Sequence, residues 1–178
     1  IAVTDHDTTA GIRAAQDSAP QGLEVIPGIE INAAALDGAD VHVVGLWIDP
    51  HDQALQNQLH ILRKSRIERA KSILALLHRL GISLSVEDVL KYAHEDVVSR
   101  SHIASALLEK GVVATKAEAF ERLIGESGPA YVPRYKIEPA RAVQLILDAG
   151  GVPVLAHPGL LKNLDVLPIL VDAGLVGL

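Results

Sequence analysis

No cysteine occurs among the 178 residues. Disulfides and thiolate-held metals are thereby excluded, and any bound metal must take histidine and carboxylate ligands. Basic residues are in deficit, with 16 Lys plus Arg against 22 Asp plus Glu and a net charge of −6. A broad nucleic-acid coat, which needs a basic surface, is not expected. A single nucleotide in a pocket remains compatible with this balance, because a few arginines and bound cations can supply positive charge locally. No apolar run approaches the roughly 20 residues of a membrane helix. Methionine is absent as well. The opening Ile1-Ala2-Val3 reads as the end of a strand and residues 174–178 as the start of another. The expectation is an internal segment, cut on both sides.

What is present suits a folded domain: hydrophobic residues make up 49%, enough for a sizeable core. The outer thirds read as α/β. Strands are expected at 1–3, at 23–26 with an extension over 29–32 beyond Pro27-Gly28, at 41–48 and at 152–156. Helices are expected at 9–17 after a Thr8 cap, at 139–149 and at 165–172. Between them the period changes. Leu55, Leu59, Leu62, Ile67, Ala70, Ile73, Leu74, Leu77 and Leu80 recur at three- and four-residue steps, which predicts a long helix closed by Gly81. Shorter helices follow at 86–94, 101–109 and 116–123, the first capped by Ser85 with Asp88. The expected divisions are 1–51, a helical insertion over 52–135, and 136–178. Scaffolds of strands backed by helices carry their chemistry where strands end.

Four clusters stand at or near such ends: Thr4-Asp5-His6-Asp7, Pro27-Gly28-Ile29-Glu30, Val41-His42 and Ala156-His157-Pro158. Each sets an imidazole or carboxylate against an apolar strand. A carboxylate can bridge two cations while neutral imidazoles complete the coordination. Two such cations can generate a hydroxide and clamp a phosphoryl oxygen. Taken singly, each residue has a plainer reading. His6 can be a polar residue after a strand, Glu30 can pair with a structural arginine, His42 can be a hydrogen-bonded core histidine, and His157 can cap the next helix. All four must be explained together, and a metal centre does so. His51, His60, His78 and His94 read as solvated. Arg63, Arg66 and Arg69, three apart on the long helix, read as a solvated face or as a contact for a second phosphate.

The stretches Ile1-Ala-Val-Thr-Asp-His-Asp7, Val25-Ile-Pro-Gly-Ile-Glu30, Val41-His-Val-Val-Gly45 and Val154-Leu-Ala-His-Pro158 resemble the polymerase and histidinol phosphatase (PHP) family of phosphoesterases. Val98-Ser-Arg-Ser-His-Ile-Ala104 and Pro129-Ala-Tyr-Val-Pro133 are similar to the subfamily of 3′,5′-nucleoside bisphosphate phosphatases, also described as 5′→3′ exoribonucleases. The resemblance implies α/β architecture, part of a distorted (β/α)7 barrel with a helical insertion that caps the substrate. It implies hydrolysis of nucleotide phosphoesters by a metal-bound hydroxide, with up to three divalent ions. Manganese is the expected metal, with iron or zinc as alternatives.

By the same resemblance, Glu30 bridges two ions, His42 and His157 bind one of that pair, and His6 binds the third. Asp5 orients His6 or a water, while Arg100 and His102 meet the substrate phosphate. The partner implied is a nucleotide or short oligoribonucleotide in the cytoplasm, with neither a membrane nor a large nucleic-acid interface. The family's opening His-x-His and closing Asp-x-His are expected outside Ile1 and Leu178. For this stretch alone, that predicts weak metal binding and little activity. Ser101 stands where many relatives carry proline. Histidinol-phosphate hydrolysis and a non-catalytic binding module are the competing readings.

Overall fold

The computed structural model describes residues 1–35, 40–93, 98–161 and 163–178. By its internal packing the chain falls into two units, Ile1–His60 with Lys136–Leu178, and Ile61–Tyr135.

The first unit is built on a four-stranded sheet in the order β1 (Ala2–Val3), β2 (Ile26–Ala34), β3 (Asp40–Leu46), β4 (Val152–Leu155). β1 and β2 are parallel, whereas β2–β3 and β3–β4 are antiparallel. The sheet is therefore mixed, and the architecture shown by the described residues is α/β. Helix α1 (Gly11–Ser18) follows β1. It starts two residues later than the sequence suggests, because Thr8 Oγ1 accepts from the Ala10 N–H ahead of it (3.2 Å).

β2 runs straight through Pro27-Gly28, where a break between two strands was expected, and residues 23–25 are not strand. Proline is tolerated there because it sits at the beginning of the strand, and its carbonyl still accepts from the Ile48 N–H (3.2 Å). Gly28 has a separate role. A Cβ there would stand 2.9 Å from both the Val3 and Gly45 carbonyl oxygens.

Alternation along β2 and β3 sorts the side chains onto two faces. Ile29, Ile31, Ala33, Val41 and Val43 are fully buried, and helix α6 (Pro139–Asp148) packs against these strands with Val143, Leu145 and Ile146 in the core. The opposite face carries Glu30, Asn32 and His42. Beyond β4, helix α7 spans Leu167–Asp172, and the Leu155 N–H donates to the Gly177 carbonyl (2.9 Å), where 176–177 pair in parallel with β4.

Helix α2 (Gln53–Arg79) begins in the first unit, where Leu55 and Leu59 are fully buried, and continues into the second. There Ile73 and Leu77 join Ile103 and Leu107 of α4 (Arg100–Glu109) in a second core, which α3 (Val86–Leu90) and α5 (Lys116–Ala119) complete. Gly81 stops α2 at φ 81°. Leu80 falls outside the core at 47% exposure, contrary to its place in the periodic series. α3 carries the expected Ser85/Asp88 capping box. The helix expected over 116–123 instead passes into a π-helical turn, Phe120–Ile124, closed by the Gly125 N–H on the Phe120 carbonyl (2.8 Å). Among the described residues no helix is long and apolar enough to cross a membrane.

Candidate metal centre

Two histidines of the cluster stand just past strands, while Glu30 and His42 lie within them. Segment 5–7 extends the edge of β2: the Glu30 N–H donates to the Asp5 carbonyl (3.1 Å) and the Asp7 N–H to the Glu30 carbonyl (3.0 Å). His6 bridges to Glu30 in parallel and projects an exposed ring. Asp7 then adopts a left-handed backbone, φ 55°, and its carboxylate turns inward to 1% exposure. Its Oδ1 accepts from the Asn32 backbone N–H (3.0 Å) and its Oδ2 from the Asn32 side-chain amide (2.9 Å). The same amide nitrogen lies 3.4 Å from His6 Nδ1.

Asn32 and His42 are directly paired in the β2–β3 register, so His42 and Glu30 share one face. The Ala156 N–H donates to the His42 carbonyl (2.9 Å), tying the end of β4 beside that histidine. His157 follows at φ 33°, ψ 58°. This left-handed conformation is unusual for a residue with a Cβ.

The side chains converge on one carboxylate oxygen. Glu30 Oε1 is 2.7 Å from His42 Nδ1, 3.3 Å from His157 Nε2 and 3.8 Å from His6 Nδ1. His42 Nδ1 and His157 Nε2 are 3.1 Å apart. The His42 ring meets the rings of His6 and His157 edge to face, with centroids at 5.3 Å and 4.8 Å. Imidazole nitrogens and a carboxylate oxygen, all groups that ligate divalent cations, face one another here. Ligand atoms about 2.0–2.2 Å from one ion stand about 3–3.5 Å apart, close to the spacings around His157. His6, Glu30 and His42 also form a ligand group whose donor atoms all lie within 4.8 Å of one another. The residues present therefore fit a divalent metal.

Glu30 and His42 are largely enclosed. Burial holds the His42 imidazole below its ordinary pKa. The Glu30 carboxylate opposes this, and charge on His6 and His157 adds to the lowering. A neutral His42 is the form that ligates.

Asp5 is exposed, and its Oδ2 lies 2.7 Å from where a Cβ on Gly11 would stand, at the start of α1. The side-chain amide of Asn32 makes a polar contact to the His6 ring. Arg100 and His102 belong to the second unit. Arg100 donates to the Ile124 carbonyl (3.3 Å) and lies 5.6 Å from the Phe120 and Tyr131 ring centroids. His102 caps its own helix, its Nδ1 accepting from the Ser99 N–H (3.3 Å).

The arginines expected on a solvated face of α2 are half-buried. Arg69 Nε donates to the Val132 carbonyl (2.7 Å). Burial, then the neighbouring charges of Arg100 and Arg134, push its pKa down to about 10. His51, His60 and His78 are exposed, as read from the sequence, and His94 lies outside the described residues. Sequence reasoning missed Asp7 and Asn32. The available signals were an asparagine two residues after Glu30, on the same strand face, and a second carboxylate beside His6.

No family model matches the chain. It is 34% identical over 161 residues to a 3′,5′-nucleoside bisphosphate phosphatase of Chromobacterium violaceum, covering 89% of this chain and 56% of that protein. It is 35% identical over 162 residues to the 5′-3′ exoribonuclease Rnm of Salmonella typhimurium, covering 89% and 55%. The chain thus spans about half the length of these two relatives. A phosphoribosyl 1,2-cyclic phosphate 1,2-diphosphodiesterase of Eggerthella lenta is 33% identical over 186 aligned residues, all of this chain and 70% of its own length. Among solved structures, a Bifidobacterium adolescentis protein assigned by name to the metal-dependent phosphoesterases superposes with a TM-score of 0.85. It is 27% identical, with 99% of this chain and 64% of that one covered. A histidine–glutamate cluster seated on the stretches that carry the resemblance, together with a diphosphodiesterase relative that aligns with all of this chain and 70% of its own length, establishes that the chain belongs to the PHP family of phosphoesterases.

Proposed function

We propose that the protein is a metal-dependent hydrolase of nucleotide phosphoesters, acting on 3′,5′-nucleoside bisphosphates or the 5′ ends of short RNA. The observation that carries this reading is the meeting of three imidazoles on Glu30 Oε1, between 2.7 Å and 3.8 Å. The names of the relatives support the substrate class. The fold is assigned to part of a distorted (β/α)7 barrel with a helical insertion over 52–135. Glu30 would be shared between two ions, His42 and His157 would hold one of them, and His6 would hold another. Manganese is the metal assigned, with a complement of up to three ions. Bound divalent cations would supply a more acidic water and neutralise phosphoryl oxygens.

The chain's own groups have separate tasks. His42, kept neutral by burial, stays available as a ligand at physiological pH. Arg100 offers a planar fork suited to two phosphate oxygens. His102 receives a backbone N–H at Nδ1, so its neutral ring carries the proton at Nε2 and donates from there. Asp5 orients water beside His6.

In the full-length protein, Glu30→Gln keeps the shape of the side chain and removes the charge. It should abolish metal-dependent phosphate release from adenosine 3′,5′-bisphosphate. Normal turnover by that variant would sink the proposal. A second reading, cleavage of a cyclic sugar phosphodiester, is favoured by the alignment of all of this chain to the Eggerthella lenta relative. Rates on phosphoribosyl 1,2-cyclic phosphate and on the bisphosphate, measured side by side, decide between them.

A further inference from the structure

We infer that Asp7, acting through Asn32, is a positioning residue that keeps Nδ1 of His6, the nitrogen facing Glu30, unprotonated. Asp7 is 1% exposed, and a carboxylate can only accept hydrogen bonds. The Asn32 amide 2.9 Å from its Oδ2 must therefore present its NH2 group and not its oxygen. That settles an orientation an asparagine otherwise leaves open. The same nitrogen faces His6 Nδ1 at 3.4 Å. A protonated Nδ1 would set one N–H against another, so the neutral ring holds its proton at Nε2. His6 Nδ1 is also the nitrogen 3.8 Å from Glu30 Oε1.

Two further features support a built device. Asp7 holds a left-handed backbone, φ 55°, which turns its carboxylate under the strand. Asn32 is 4% exposed between Ile31 and Ala33 of β2, where a polar side chain is costly without partners. Asp7 supplies one acceptor to that side chain and another to its backbone N–H.

The ligation half of this inference rests on the metal-centre reading above; the tautomer half does not. The test is ¹⁵N NMR of the histidine-labelled, metal-free chain, with the His6 signals assigned by their loss in His6→Gln. The wild type should show the Nε2–H form. Asp7→Asn is nearly isosteric but supplies an N–H in place of an oxygen. It should turn the Asn32 oxygen toward His6 and shift the ring to the Nδ1–H form. Calorimetric Mn²⁺ affinity should fall by about tenfold or more, with the unfolding midpoint serving as a fold check.

An Nδ1–H ring in the wild type, an unchanged tautomer in Asp7→Asn, or a shifted tautomer with unchanged Mn²⁺ affinity would each overturn the inference. If Asp7→Asn does not fold, Asn32→Ala removes the amide while leaving the backbone N–H bonded to Asp7. A pure Nε2–H form persisting there would also overturn it. A wild type that binds no Mn²⁺ would count against the metal-centre reading, with the tautomer result still deciding the role of Asp7.

Discussion

His42 is the most enclosed imidazole that can be followed by titration at this centre, with its side chain 18% exposed against 53% for His6 and 43% for His157. Burial, with charge on His6 and His157 adding to it, penalises its charged form more than Glu30 stabilises it. The folded chain thus refuses a proton that the unfolded chain accepts just below the ordinary imidazole value of about 6.5. Through this group, the metal-free protein holds its full stability above that value and loses some as pH falls through the lower folded-state pKa. An NMR titration of the His42 ring protons should place the midpoint below 6.5; one at or above it would contradict the burial argument. At this scale the candidate residues were legible, because Glu30 and His42 interrupt apolar strands and His6 and His157 follow them. The Asp7–Asn32 pair was not, because the two residues are 25 positions apart and only strand pairing joins them.

At the scale of elements, the site depends on how tightly β2 and β3 pack. Alternation puts Ile29, Ile31, Val41 and Val43 on the α6 side and so leaves Glu30, Asn32 and His42 together on the other. Gly45 sits where β3 crosses Ile146 of α6. A Cβ there would lie 2.9 Å from two carbons of that fully buried side chain. Gly45→Ala should therefore destabilise the fold by about 1–3 kcal/mol, read as a lower urea midpoint with an unchanged slope. An unchanged midpoint would mean that α6 yields without cost. Helix periodicity predicted α2 well, since a 3.6-residue repeat is a local property. The continuity of β2 through Pro27 and the π-helical turn at Phe120–Ile124 were not legible, because both depend on what packs or bonds against the segment.

For the molecule as a whole, net charge −6 and a cluster of imidazoles around one carboxylate make cation binding a stabilising event. A metal that binds only the folded state adds RT ln(1 + [L]/Kd), about 2.7 kcal/mol at a hundredfold excess over Kd. Saturating Mn²⁺ should raise the thermal midpoint of the wild type, and EDTA should reverse the shift. Glu30→Gln should show little of it. Equal shifts in the two proteins would place the metal elsewhere. The two units were only partly legible from composition, as a helical middle between α/β ends. Their limits at His60–Ile61 and Tyr135–Lys136 follow from which side chains share a core, and the first limit falls inside α2 where the sequence shows no break.

The sequence by itself determined the chemical vocabulary: no thiolates, an excess of acid, and histidines and a glutamate at apolar strands. It also determined the helical periods and the family resemblance, since these reside in local order and residue type. Tertiary structure alone decided that β2, β3 and β4 run antiparallel and that four residues spread from position 6 to position 157 meet on one oxygen. It also made Asp7, through Asn32, the buried carboxylate linked to His6. The physical reason is that pairing register and burial are set by partners far away in the chain, and no local pattern encodes which partners those are.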